Sequence, residues 1–109
     1  MKTITRELLD EIVRRIVAAL HPEEIYLYGS HAYSHPHEDS DVDLFIIVRD
    51  SSLPPHQRAI AAYRALRGLF LPVEIKVVTR AEFERRAQWL SSLEQVVRGR
   101  GKVLYESPR

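Results

Sequence analysis

The hydrophobic positions of this chain change period several times, and each change marks an element. Over residues 5–20 the apolar positions Leu9, Ile12, Val13, Ile16 and Leu20 recur at three- and four-residue intervals, the spacing of one helix face. Arg6, Glu7, Arg14 and Arg15 lie mostly off that stripe, Thr5 is a suitable N-cap, and His21-Pro22 ends the run. Residues 25–28 are β-branched and aromatic and predict a first strand, closed by Gly29-Ser30. Residues 31–40 read as a polar loop, with room for a short helical turn just after Gly29. Residues 41–48 open on two carboxylates and then run Leu44-Phe45-Ile46-Ile47-Val48, apolar on both faces as in a central, covered strand.

Pro54-Pro55 then opens a second helix to about Gly68, because proline suits a first helical turn. Its spacing predicts Ile60, Tyr63 and Leu66 inward, with Arg58, Arg64 and Arg67 solvated. Residues 73–78 alternate as a third strand: Val73, Ile75 and Val77 face one way, and Glu74, Lys76 and Val78 the other. Thr79-Arg80-Ala81-Glu82 is a capping-box pattern that starts a third helix with Phe83, Ala87 and Leu90 inward. Ser91-Ser92 breaks or re-caps it, a last short helix carries Leu93, Val96 and Val97, and residues 102–105 predict an edge strand. The expected fold is α+β: a mixed sheet of three to four strands flanked by helices, one domain over residues 1–109.

Charge and composition narrow the function classes. Lysine and arginine number 16 and aspartate and glutamate 15, so no global basic field favours nucleic acid as a partner. The absence of cysteine rules out disulfides and thiolate zinc sites. The N-terminal residues lack a signal-peptide pattern and no apolar run reaches a membrane span, so a soluble, cytoplasmic protein is expected.

The chemistry concentrates at Gly29-Ser30 and, ten residues later, Asp41-Val42-Asp43. Period two puts Asp41 and Asp43 on one strand face. Two carboxylates at the mouth of an apolar strand are costly unless a positive group compensates them, most simply a divalent metal. If Glu74 joins them, the topology follows: strands one and two run antiparallel, and strand three runs parallel to strand two. Residues 54–68 are then the right-handed crossover. Paired carboxylates suit magnesium, as one ion or two, for in-line displacement at phosphorus, and Gly29 and Ser30 suit phosphate. Phosphoryl or nucleotidyl transfer from a nucleoside triphosphate is the expected reaction class.

The Gly-Ser to Asp-x-Asp element between two strand patterns resembles the signature of the polymerase beta-like nucleotidyltransferase superfamily. More narrowly, the chain resembles the minimal nucleotidyltransferases over most of its length. The resemblance implies that fold, with ATP as donor and two magnesium ions. It places Gly29 and Ser30 on the triphosphate, Asp41 and Asp43 on metal, and Glu74 as third metal ligand and catalytic carboxylate. Two features differ from the common pattern. The third carboxylate is most often Asp there, and Ala32-Tyr33-Ser34 stands where Ala-Arg-Gly is frequent, so that His31 or a partner would supply the contact. The resemblance also implies a partner, a helical HEPN-type toxin whose tyrosine receives AMP, in a homo- or hetero-oligomer.

The length supports an acceptor surface supplied by another chain, since the sheet and helices leave no separate acceptor lobe. An alternative is a catalytically weak nucleotide-binding module that neutralises its partner by stoichiometric binding. Small-molecule or nucleic-acid acceptors fit the size and charge balance less well. His31, His35 and His37 lack metal-site spacing and read as loop histidines. Lys76 reads as solvated or paired with Glu74, Arg98, Arg100 and Lys102 as complements to a helix end, and Trp89 as packing or a partner contact.

Overall fold

The computed structural model describes residues 5–29, 42–90 and 92–108. Helix α1 (Arg6–Leu20) starts where the Thr5 side chain accepts the Leu8 N–H at 3.0 Å. It stops at His21, whose left-handed backbone, φ 49°, lets its N–H reach Val17 O. Strand β1 (Glu24–Tyr28) leads to Gly29. Then come β2 (Val42–Val48), α2 (Pro55–Ala65), β3 (Val73–Thr79), α3 (Arg80–Ala87), α4 (Leu93–Arg100) and β4 (Lys102–Glu106).

The four strands of the described residues form one mixed sheet in the order β3-β2-β1-β4. β1 pairs antiparallel with β2 and β4, while β2 pairs parallel with β3 across the α2 crossover. These are the directions expected if Asp43 and Glu74 share a site. β2 is central because it alone is apolar on both faces: every residue of it except Asp43 is buried. Val42, Leu44 and Ile46 pack with Ile12 and Ile16 of α1 and Ala62 of α2. On the opposite face, Phe45 and Ile47 pack with Phe83 and Ala87 of α3 and Val97 of α4. Each fully buried side chain of this size contributes about 1.5–3 kcal/mol relative to exposure, so β2 anchors both layers.

Two packing expectations are corrected. In α2 the inward face is Arg58, Ala62 and Leu66, whereas Ile60 and Tyr63 are 45% and 42% exposed. The small Ala62 allows close approach to the sheet. Arg58 tolerates burial because its guanidinium donates to Leu53 O at 2.8 Å, Val77 O at 3.3 Å and Glu82 Oε1 at 2.9 Å. Leu90 is exposed, not inward, because α3 ends at Ala87 and leaves it in the following turn. The Thr79–Glu82 capping box and the Ser92 N-cap of α4 are present as expected.

Strand β3 is a sheet edge, and α2 blunts it. Tyr63 Oη accepts the Ile75 N–H at 3.0 Å, and Arg58 occupies Val77 O on the same side. Among the described residues no helix is long and apolar enough to cross a membrane.

Candidate active site

Strand register gathers the candidate residues. Tyr28 of β1 stands opposite Asp43, and Asp43 stands opposite Glu74 of β3. Directly opposite residues share a sheet face, so Tyr28, Asp43 and Glu74 form one row across three strands. The row lies where β1 ends and where β2 and β3 begin. One step further into the sheet the row is Tyr26, Phe45 and Lys76, followed by Glu24, Ile47 and Val78.

Helices α3 and α4 pack over Phe45, Ile47 and Val78 of the inner rows, with Tyr26 and Tyr28 partly buried against the same cluster, and leave Lys76 exposed on β3. Phe45 is fully buried, with Tyr28 edge-on at 6.1 Å between ring centroids and Phe83 at 5.8 Å. Asp43 is half-buried and Glu74 exposed. An apolar floor thus carries a carboxylate row that opens outward.

Gly29 completes this end. Its φ of +78° lies in the left-handed region, and a Cβ there would collide with Asp43 Oδ2 and lie 3.2 Å from Asp43 Cγ. Only glycine lets the turn after β1 close against the Asp43 carboxylate. Gly29→Ala is expected to lower stability by about 1–2 kcal/mol and displace Asp43, which a shifted urea midpoint at constant m would show.

Gly29, Asp43 and Glu74 are therefore brought together. Ser30, Asp41 and the histidines His31, His35 and His37 lie outside the described residues. Among the described residues no group of three His, Asp or Glu side chains is placed to hold a metal ion. Asp43 and Glu74 supply two hard oxygen donors side by side. Like charges directly opposite in a sheet destabilise it, and an oxygen-ligated divalent cation offsets that repulsion, so the pair fits magnesium chemistry.

The charged cluster at the other end of the sheet has a different character. A cavity of about 400 Å³ there is lined by Glu23, Glu24, Arg49, Arg80 and Glu106, among others. Arg80 donates to Glu23 at 2.9 Å and also to Glu24. Burial first, then the Glu24 carboxylate, pushes the Tyr26 hydroxyl up to about 12, so it stays protonated. These groups neutralise one another and tie β1 to α3.

The nucleotidyltransferase domain model matches residues 7–100 of the chain. The chain belongs to this nucleotidyltransferase domain family. Solved structures share the fold. A putative nucleotidyltransferase from Sulfolobus solfataricus is 20% identical with a TM-score of 0.62, covering 90% of this chain and 78% of that one. A toxin–antitoxin with AMP-PNP is 22% identical with a TM-score of 0.62, covering 91% and 73%. A mutant of the toxin–antitoxin MntA-HpeT is 20% identical at the same TM-score and the same coverage. Among curated proteins nothing matches. Within this nucleotidyltransferase domain, Arg58, Ile60, Tyr63 and Leu90 are the positions that the sequence pattern misplaced.

Proposed function

We propose that this nucleotidyltransferase domain transfers AMP from ATP to a hydroxyl, and that the acceptor is a tyrosine of a helical HEPN-type toxin, which the transfer neutralises in the cytoplasm. The observation that carries the reading is the register of Asp43 against Glu74, beside a glycine whose left-handed backbone closes against the Asp43 carboxylate. Family membership supports nucleotidyl transfer. The shared fold with a toxin–antitoxin that holds AMP-PNP supports both a nucleotide and a toxin partner.

Asp41, Asp43 and Glu74 would hold magnesium, as one ion or two, which when bound neutralises charge on the phosphates. Gly29 and Ser30 present backbone N–H groups and a hydroxyl to the triphosphate. Asp43 fixes the phosphate end against β2, and Glu74 accepts the proton of the acceptor hydroxyl. The acceptor oxygen bonds to the α-phosphorus, the bond from that phosphorus to the bridging oxygen breaks, and pyrophosphate leaves.

Incubation with α-labelled ATP, magnesium and a HEPN-type protein should place label on the partner's tyrosine. Omission of magnesium should abolish labelling. Protection from the toxin without any label, retained by an Asp43→Asn chain, would instead establish neutralisation by stoichiometric binding.

A further inference from the structure

Helix α2 guards the outer edge of β3 at two points and leaves a gap between them. Tyr63 Oη accepts the Ile75 N–H at 3.0 Å, and Arg58 donates to Val77 O at 3.3 Å. The N–H and C=O of one strand residue point to the same side, so Ile75 O and Val77 N–H face outward as well. Among the described residues nothing bonds either group. One acceptor and one donor are too few for an added strand, because Tyr63 and Arg58 hold the groups on either side.

The gap opens into a groove of about 560 Å³. Pro55 and Ala59 of α2 and Leu93 of α4 give it aliphatic walls, while Lys76 of β3, Arg86 of α3 and Glu94 of α4 supply its charges. Glu94 is 6% exposed, yet among the described residues it accepts no hydrogen bond, and its ion pair with Arg86 is 3.6 Å long. No side-chain oxygen sealed from solvent among the described residues lacks a partner, so the Glu94 carboxylate is not sealed and reaches the groove. A buried carboxylate without donors is costly unless a ligand supplies them.

Position and pattern select that ligand. β3 advances about 3.3 Å per residue, so Lys76 stands about 7 Å from Glu74 on the same face. The groove therefore begins one row in from Asp43 and Glu74, within reach of a nucleoside whose α-phosphate lies at those carboxylates. Its open groups are two acceptors, Ile75 O and Glu94, and one backbone donor, Val77 N–H. Adenine matches them, with two hydrogens on its amine and an acceptor nitrogen beside it. Guanine offers the same count, whereas uracil sets one donor between two acceptors. A flat ring also suits a slot with aliphatic walls and few polar groups.

We propose that this groove seats the purine base of the donor nucleotide. Ile75 O and Glu94 accept from its amine, Val77 N–H donates to its ring, and Lys76 stands on the phosphate side. The proposal rests on the reading of the site as a nucleotide transferase. Calorimetry with magnesium tests it, using ATP, GTP, inorganic triphosphate and purine riboside triphosphate, which lacks the amine. ATP should bind about tenfold or more tighter than purine riboside triphosphate, which leaves the acceptors unpaired. Glu94→Leu should shrink that advantage to less than about threefold. Ala59→Phe, at a half-buried position on α2, fills the groove and should weaken ATP about tenfold or more while inorganic triphosphate binds as before. Val77→Pro removes the backbone donor at an edge that tolerates proline, and should weaken ATP in the same way.

Tighter binding of GTP than of ATP, lost in Ala59→Phe, would support the groove and make guanine its base. Equal affinity for ATP and purine riboside triphosphate would overturn the proposal, as would an Ala59→Phe chain with the parent's ATP affinity. A parallel loss of inorganic triphosphate binding would overturn it too, by placing the change on the phosphates. In each of these cases AMP transfer itself stands. Label transferred equally by Asp43→Asn would instead overturn the transferase reading, and a parent chain that binds no nucleotide would overturn both.

Discussion

Asp43→Asn is expected to cut AMP transfer by about 10³-fold while leaving the fold in place, the size of effect seen when one charge-stabilising group is removed from a site. Asparagine has the same shape, so it fits against Gly29, and the six buried residues around it in β2 still fix the strand. Only the negative charge and its affinity for a hard cation are lost. Raising magnesium should recover part of the rate if the loss is one of metal affinity. Glu74→Gln is expected to lose about 10²–10⁴-fold, as for a general base, and with a distinct signature: the rise of rate with pH is flattened, and added magnesium does not restore it. An Asp43→Asn chain that retains more than about a tenth of the parent rate would remove Asp43 from the chemistry.

Arg58→Ala is expected to have the largest effect on stability, about 3 kcal/mol, because it leaves the Glu82 carboxylate without its buried partner. Arg58 is 7% exposed and Glu82 20%, and the guanidinium also serves Leu53 O and Val77 O, which alanine leaves unsatisfied. Glu82→Gln should cost less. Its side-chain oxygen can still accept the Thr79 N–H, 3.0 Å from Glu82 Oε1, and so keep the capping box. Urea midpoints at constant m would rank the two.

The pH dependence follows from the Glu82 carboxyl, held below its ordinary 4.5 chiefly by the hydrogen bond from Arg58. A depressed folded-state pKa stabilises fully above 4.5 and is lost as pH falls through the lowered value. The stability gap between parent and Arg58→Ala should therefore be flat from neutral pH down to about 5 and close in more acid solution. A gap that widens on acidification would contradict this assignment.

The strand pattern was legible because burial differs so sharply along the chain. Residues 44–48 are apolar on both faces, which makes that strand central without any knowledge of its neighbours. Strand directions came from chemistry rather than pattern: carboxylates placed at the starts of two strands converge only if those strands are parallel. Helix phase was less legible. In α2, Ile60 and Tyr63 look like a buried stripe, yet Arg58 and Ala62 occupy the inner face, because an arginine with three partners and an alanine that permits close approach outweigh side-chain hydrophobicity. Leu90 was misplaced for a different reason. Periodicity extends beyond the residue where the backbone turns, and α3 ends before it. At the site, the sequence marked Gly29, Asp43 and Glu74.

The parallel pairing of β2 with β3 also sets when the site comes into being. Tyr28 and Asp43 can meet as soon as a local antiparallel pair forms, but Glu74 reaches Asp43 only after the whole α2 crossover has been threaded and docked. Contacts so distant along the chain form slowly, since loop closure precedes any gain from pairing. In a chain still emerging from the ribosome, Tyr28 can therefore pair with Asp43 before Glu74 is in place. The pairing of Asp43 with Glu74 is thus a late event, made only once the chain has been synthesised through β3.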